Sequence, residues 1–180
     1  MKLMFASDIH GSFTYCEKMM ERYFAEKCDK LILLGDILYH GPRNDLPDGY
    51  APKKVAALLN ENKKEILCVR GNCEAEVDQM MLEFPVLADY MILYLGEKMA
   101  FVTHGHQFNT SNPPMLKNGD ILIHGHTHVL KAENCDNYVY INPGSVAIPK
   151  EGNKHSYMVF QDNTFIIKSL DGEEILKYSI

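Results

Sequence analysis

The chain has 180 residues, 46% of them hydrophobic, and a formal net charge of -6 at pH 7, which predicts a single domain over residues 1–180 with a core of its own. The acidic balance, without any basic run, argues against an extended nucleic-acid surface, because such surfaces depend on clustered Lys and Arg. No stretch reaches the ~18 apolar residues of a membrane-spanning helix, and the apolar run at residues 1–6 is shorter than the ~7 to 15 residues of a signal peptide.

The first half of the sequence alternates between strand and helix patterns. Short apolar runs predict buried strands at residues 2–6, 30–34 and 65–69. Helical spacing of apolar residues predicts helices at residues 13–27, 53–62 and 75–82. A long loop rich in Gly, Pro and Asn separates the second strand from the second helix. Strands that alternate with helices predict a mainly parallel sheet.

From residue 90 onward the pattern changes to short strands with little helix between them. The predicted strands are residues 91–95, 99–103, 120–124, 138–141, 157–161 and 165–169, with a last edge strand at 173–178. We expect antiparallel pairing there, and Asp162-Asn163 and Asp171-Gly172 are typical of hairpin turns. Two sheets packed face to face, with helices outside them, would bury all these segments, which predicts an α/β fold.

The cysteines and methionines bear on compartment and assembly. The five cysteines are odd in number and contain no C-x-x-C pair, which argues against a disulfide framework and against a thiolate zinc site. A reducing cytoplasm is therefore predicted. The apolar groups Met19-Met20, Met80-Met81 and residues 90–95 are interpreted as core, with the surface of a homo-oligomer as the alternative.

Polar side chains follow directly on five of the predicted strands. The motifs are Asp8-x-His10, Gly35-Asp36, Gly71-Asn72, His104-Gly105-His106 and Gly125-His126-Thr127-His128. Ligands of an open α/β sheet gather outside the carboxyl ends of its strands, so residues far apart in sequence can converge there. Each motif alone is explained by a turn or by a buried histidine, but five together predict one metal site.

The donor types at these strand ends restrict the metal. Carboxylate oxygens, an amide oxygen and imidazoles, without thiolate, suit divalent ions, and ligand type selects poorly among them. Mn is the first choice, with Ni, Co, Zn, Fe or Mg as alternatives. Two such ions would add positive charge inside one cleft of an acidic protein. A small anionic substrate is therefore compatible with the overall charge.

The ordered blocks D-x-H, G-D, G-N-C-E, an isolated H and G-H-x-H resemble the calcineurin-like metallophosphoesterase family. The match runs from Asp8 to His128, and Asn142-Pro143-Gly144-Ser145 is similar to the small bacterial branch of that family. The resemblance implies a four-layer α-β-β-α sandwich of two mixed sheets. It also implies that one metal is held by Asp8, His10, Asp36 and His128, and that a second metal shares Asp36 and is completed by Asn72, His104 and His126.

The implied activity is hydrolysis of a small phosphodiester, in which a hydroxide that bridges the two metals attacks phosphorus. Asp36, Asn72 and His104 would hold that nucleophile and position the phosphate. Cys73 departs from the wider family, which carries His there. It is interpreted either as a weak proton donor or as a packed side chain, and aryl esters are therefore expected to react faster than alkyl esters.

Substrate contacts are expected from the long loop that follows Asp36. His40, Arg43 and Asn44 are the candidates, because the guanidinium group of Arg is well shaped for phosphate oxygens. Two other functions remain open at this point: a phosphomonoesterase, and a non-catalytic binding scaffold of the same fold. The scaffold is disfavoured because all seven proposed ligand positions hold residues that can coordinate a metal.

Overall fold

A computed structural model describes residues 1–180 and contains three α-helices. α1 spans Phe13–Glu26, α2 spans Pro52–Glu61 and α3 spans Glu76–Met81. Ser12 caps α1, because its side-chain oxygen accepts a hydrogen bond from the backbone N–H of Tyr15. Proline begins α2, where its fixed φ suits the first turn of a helix. No helix combines the length and the apolar character that crossing a membrane requires.

The chain also contains eleven strands. In chain order they are β1 Leu3–Ala6, β2 Lys30–Leu33, β3 Ile66–Cys68, β4 Tyr90–Leu95, β5 Lys98–Thr103, β6 Asp120–Ile123, β7 Lys131–Asn134, β8 Tyr138–Asn142, β9 Ser156–Gln161, β10 Thr164–Ser169 and β11 Glu174–Ser179. They form a six-stranded sheet in the order β11-β10-β9-β1-β2-β3 and a five-stranded sheet in the order β4-β5-β6-β8-β7. Both sheets are mixed, which confirms the predicted fold class.

Side chains alternate between the two faces of each strand and so build two separate cores. On β1, Met4 faces α1 and α2, whereas Phe5 faces the second sheet. The core between the sheets is completed by residues such as Val102 of β5 and Ile123 of β6. Strands buried on both faces read as continuous apolar runs, which is why the sequence predicts β1 and β2 so clearly.

The outer face of the second sheet carries a loop instead of a helix. Phe101, Leu122 and Tyr140 form a small cluster on that face, and Phe108 and Leu116 of the β5–β6 connection pack against it. The helical layer is therefore complete only on the first sheet. Phe108 and Leu116 of the connection supply the apolar cover that a helix would otherwise supply.

The expectation of antiparallel pairing after residue 90 was only partly correct. β4 pairs antiparallel with β5, and β10 with β9, but β5, β6 and β8 are parallel to one another. A parallel pair needs a crossover connection, and the connection at residues 104–119 serves as one without forming a helix. β7 was not predicted, because its sequence Lys-Ala-Glu-Asn lacks apolar alternation. It exists as an edge strand paired with β8.

The predicted core positions also needed correction. Met19 and Met20 are buried in α1. In contrast, Met80 is 84% exposed and Met81 is 43% exposed, because α3 lies on the surface and buries none of its residues. Tyr90, Ile92 and Tyr94 are exposed as well, since they alternate with the inward-facing residues of the edge strand β4.

Glu26 joins α1 to β9, to β10 and to the residue that precedes β1. Its carboxylate accepts hydrogen bonds from Lys2 Nζ at 2.7 Å, Lys168 Nζ at 2.7 Å and Tyr157 Oη at 3.1 Å. Burial raises the pKa of Glu26, but these three donors outweigh burial and lower that pKa to about 2. Its interactions therefore stabilise the fold above the unfolded pKa of ~4.3 and are lost as the pH falls toward 2.

We expect Glu26→Gln to lower the free energy of unfolding by about 1 kcal/mol at pH 7, a small value because solvent screens partly exposed ion pairs. The difference from the wild type should shrink between pH 4 and pH 3, because the carboxyl group of the unfolded chain takes up a proton there while the folded one, with its lower pKa, stays ionised. Urea unfolding at pH 7, 4 and 3 measures this. Glu21→Gln is the control, since Glu21 is exposed on the same helix. An equal difference at all three pH values would contradict the assignment.

Candidate active site

Seven side chains converge at the carboxyl ends of strands from both sheets. Asp8 and His10 follow β1, Asp36 follows β2 and Asn72 follows β3. The remaining members come from the second sheet, His104 after β5 and His126 and His128 after β6. The strands β1, β2 and β3 are parallel, and so are β5 and β6. Their ends therefore meet at one edge of the sandwich, as the sequence pattern predicted.

The first group of ligand atoms surrounds Asp8. Asp8 Oδ1 lies 3.2 Å from His128 Nε2 and 3.6 Å from His10 Nε2, and the two imidazole nitrogens are 3.4 Å apart. All three residues are buried. One carboxylate oxygen and two ring nitrogens at these separations can share one divalent ion.

The second group surrounds Asp36. Asp36 Oδ2 lies 3.5 Å from His104 Nε2 and 3.6 Å from His10 Nε2, so this one oxygen faces both groups. His104 Nε2 is also 3.1 Å from Asn72 Oδ1 and 3.1 Å from His126 Nδ1. Asp36 is thus placed to bridge two ions, with Asn72, His104 and His126 around the second one.

Backbone carbonyls set the tautomer of three of these histidines. The Nδ1 atoms of His10, His104 and His128 lie 2.9 Å from Tyr39 O, 2.7 Å from Leu34 O and 2.7 Å from Ile148 O, respectively. A carbonyl only accepts hydrogen bonds, so each Nδ1 must donate a proton to it. Each Nε2 then presents a lone pair to the centre of the site, which is the arrangement of metal-ligating histidines.

Each of the two carboxylates uses one oxygen for a backbone hydrogen bond and keeps the other available for a metal. Asp8 Oδ2 accepts a hydrogen bond from the backbone N–H of His126, and Asp36 Oδ1 accepts one from the backbone N–H of Cys73. Asp8 Oδ1, by contrast, is buried without any hydrogen-bond partner. A buried charged oxygen without a partner is costly unless a cation satisfies it. The residues present therefore fit a pair of divalent ions.

Two pKa shifts agree with this interpretation, whereas the pKa of His10 is raised, because burial lowers it but the Asp8 and Asp36 carboxylates outweigh the effect of burial. Burial raises the pKa of Asp8, but the neighbouring His10 and His128 rings outweigh burial and hold that pKa well below its usual range. Burial and the neighbouring His104 lower the pKa of His126 to about 4. Asp8 is therefore a carboxylate and His126 a neutral imidazole at neutral pH, and these are the forms that bind metals.

The backbone is strained at five of the seven candidate ligands. Asp8, His10, Asp36, His126 and His128 all have φ between 48° and 65°. Residues with a Cβ rarely adopt this left-handed region, and when they do they cluster at functional sites. The chain therefore turns sharply at these residues after β1, β2 and β6, which aims several side chains at a common centre within a few residues.

Two glycines beside ligands are needed for close approach of the loops. A Cβ at Gly71 would lie 2.2 Å from Asp36 Oδ1, and a Cβ at Gly125 would lie 1.9 Å from Ser7 Oγ and 2.8 Å from Asp8 Oδ2. Any larger residue would push Asp36 or Asp8 out of position. Steric exclusion therefore explains why glycine occupies these two positions next to predicted ligands.

Three supporting residues were missed as site residues in the sequence. The buried Glu74 carboxylate accepts hydrogen bonds from the backbone N–H groups of Asp36, Ile37 and Gly71, which joins the loops that carry two ligands. Asn142 Nδ2 donates to Gly125 O, and Ser145 Oγ donates to Asp8 O. Their signal in the sequence was position alone: Glu74 lies two residues after Asn72, and the other two belong to the Asn-Pro-Gly-Ser motif.

Five of the seven candidate ligands line a polar cleft of about 460 Å³: His10, Asp36, Asn72, His126 and His128. Arg43 and Asn44, both predicted as substrate contacts, lie on its wall, and so does Cys73. Thr127 and Lys150 line it too and were not predicted. His40 does not line the cleft. Its ring lies between Tyr39 and Tyr50, with centroid distances of 4.7 and 5.4 Å.

Comparison with known proteins places this geometry in a family. Residues 1–164 match the calcineurin-like phosphoesterase superfamily domain. The chain is 47% identical to the phosphodiesterase YfcE of Escherichia coli strain K12 over 176 residues, which cover 98% of this chain and 96% of that protein. The solved structure of the E. coli phosphoesterase YfcE superposes with a TM-score of 0.97 at 46% identity, covering all of both chains.

A more distant structure shares only the fold. Vacuolar protein sorting 29 from Cryptosporidium parvum superposes with a TM-score of 0.63 at 17% identity, over 99% of this chain and 98% of that one. Identity this low is informative about architecture and not about chemistry. The extent of the family match and the identity to YfcE together show the family. The chain belongs to the calcineurin-like phosphoesterase superfamily.

Proposed function

We propose that the protein is a metal-dependent phosphodiesterase that hydrolyses a small phosphodiester. The observation that carries the proposal is the buried Asp36 Oδ2, which lies within 3.6 Å of imidazole nitrogens from both ligand groups. A carboxylate in that position is suited to hold two ions side by side. The identity to a named phosphodiesterase over 98% of the chain supports the same reaction class.

In this proposal Asp8, His10, Asp36 and His128 hold one ion, and Asp36, Asn72, His104 and His126 hold the other. Two divalent ions would supply an activated water and the positive charge that draws electrons from phosphorus. Mn is our first candidate because the donors are oxygen and imidazole nitrogen, with Ni, Co, Zn, Fe and Mg as alternatives.

The chain's own residues would bind and orient the substrate. Arg43 lines the cleft and makes no ion pair with any acidic residue, so its guanidinium group is free for a phosphate oxygen. Lys150 also lines the cleft without an ion pair, and its backbone N–H donates to His128 O, which holds it beside a ligand loop. The two cations make the cleft attractive to an anionic diester although the protein is acidic overall.

Departure of the leaving group receives little help from this chain. Cys73 lies at the cleft wall, and burial together with the Asp36 carboxylate raises the pKa of its thiol. A protonated thiol is a weak hydrogen-bond donor. Esters whose leaving groups are acidic, such as aryl phosphodiesters, are therefore the substrates expected to react fastest.

The test is metal removal followed by metal addition. Chelator-treated protein should lose hydrolysis of an aryl phosphodiester and regain it with one or more of Mn, Ni, Co, Zn and Mg. Asn72→Ala should stay inactive with every metal, because it removes an oxygen ligand of the second ion. Cleavage of an aryl phosphomonoester in place of the diester would favour the phosphomonoesterase alternative. A wild-type protein that is inactive with all metals would point to the binding scaffold.

The compartment is proposed on a separate observation. All five cysteines are free in the structure. Cysteines without disulfide partners are usual in a reducing compartment. We therefore propose a cytoplasmic location, which fractionation of the producing cells can test.

A further inference from the structure

A second cavity lies beside the catalytic cleft and has the opposite character. Its volume is about 390 Å³, and seven of the ten residues that line it are hydrophobic. Its walls come from the loop after β2, from the start of α2 and from α3, and they include Tyr39, Tyr50, Val77 and Met81. The proposed metal-binding residues do not line this cavity, so metal binding does not account for it.

The apolar cavity and the polar cleft have one lining residue in common. Cys73 lines both of them. Tyr39 connects the two in a second way, because its carbonyl oxygen is the hydrogen-bond acceptor of the metal-ligating His10. The two cavities are therefore adjacent, and a group attached to a phosphate in the cleft can extend past Cys73 toward the apolar cavity.

The walls are suited to an aromatic ring. Two tyrosines line the cavity, and the ring of His40 lies between them in edge-on contact with both. Met81 adds a polarisable thioether, which makes favourable contacts with aromatic rings. Tyr39, Val77 and Met81 are 42%, 61% and 43% exposed. A ligand that covers these exposed apolar side chains gains the free energy of removing them from water.

We propose that this cavity is a subsite for an aromatic ester group of the phosphodiester, which adds a substrate class to the proposed function and rests on it. Phosphate oxygens would then lie in the cleft with Arg43, while an aryl or nucleobase-like ring lies against Tyr39, Tyr50, Val77 and Met81. Discrimination between aromatic and small alkyl esters comes from this apolar contact, independently of how easily the leaving group departs.

Binding of two phosphonates, which contain no ester bond to hydrolyse, tests the subsite without turnover. Calorimetry on Mn-loaded protein should show phenylphosphonate binding about tenfold more tightly than methylphosphonate, as expected for partial burial of one ring. The double variant Val77→Ser, Met81→Ser should reduce that preference to about twofold or less. Both positions are exposed, so the fold is expected to survive, and thermal unfolding checks that it does.

Met80→Ser is the matched control, because Met80 lies on the same helix, is 84% exposed and does not line the cavity. It should keep the full preference. Equal affinities of the wild type for the two phosphonates, or a preference that survives in the double variant, would overturn the subsite. The binding experiment can be separated from the proposed function. If the wild type prefers phenylphosphonate but cleaves no diester, the subsite is supported and the phosphodiesterase activity is refuted.

Discussion

Asp36→Asn is expected to lower kcat/KM for an aryl phosphodiester about a thousandfold, equivalent to about 4 kcal/mol of transition-state stabilisation. Asp36 Oδ2 faces His10 and His104 at 3.6 and 3.5 Å, while Oδ1 is held by the backbone N–H of Cys73. An amide keeps the size of the side chain but removes the charge that would hold two ions together. Steady-state kinetics with saturating metal measures the loss.

The thermal response to metal separates this effect from misfolding. A metal that binds only the folded state raises Tm, so wild-type protein should melt at a higher temperature with Mn than after chelation. Asp36→Asn should lose most of that difference while its chelator-treated Tm stays close to the wild-type value. Asp45→Asn, a change in the exposed loop after β2, should resemble the wild type in every measurement. Full activity of Asp36→Asn would refute the bridging position.

Glu74→Gln is expected to lower the free energy of unfolding by about 2 kcal/mol and kcat/KM about a hundredfold. The Glu74 carboxylate accepts from three backbone N–H groups and is buried. Glutamine has one acceptor oxygen, and its NH₂ group would face a backbone donor, so at least one buried N–H loses its partner. The loops that carry Asp36 and Asn72 would then shift.

Glu74 acts as a positioning residue, and its test needs a measurement that a general loss of stability would not change. The affinity for Mn should fall in Glu74→Gln at a temperature where the variant is fully folded, because the ligand loops are displaced. Urea unfolding and metal titration together provide these values. Glu76→Gln is the control, since Glu76 is exposed at the start of α3. An unchanged metal affinity with reduced stability would limit Glu74 to a structural role.

Much of the candidate site was predictable because each candidate ligand lies within five residues after the end of a strand. The apolar run that ends at Ala6 predicts β1. The polar residues Asp8 and His10 follow it, where the chain must turn. The same relation holds for Asp36 after β2. The local sequence indicates both the strand and its end, so candidate ligand positions can be predicted without coordinates.

The substrate side of the cleft was less predictable. His40 and Arg43 are three residues apart in one loop, yet Arg43 lines the cleft and His40 packs between two tyrosines. No pattern of alternation or helical period assigns a direction to a side chain in such a loop. Lys150 reaches the cleft because its backbone is bonded to His128 O, a contact between residues far apart along the chain.

Strand patterns and strand-end residues are local properties, so the amino-acid sequence was enough to predict the two-sheet α/β class, the family and seven candidate ligand positions. Only the folded chain shows that β5, β6 and β8 run parallel, that Glu74 accepts hydrogen bonds from three backbone donors, and that an apolar cavity adjoins the polar cleft. These features arise from contacts between segments distant in sequence. Their free energies depend on packing geometry, which residue type and spacing do not specify.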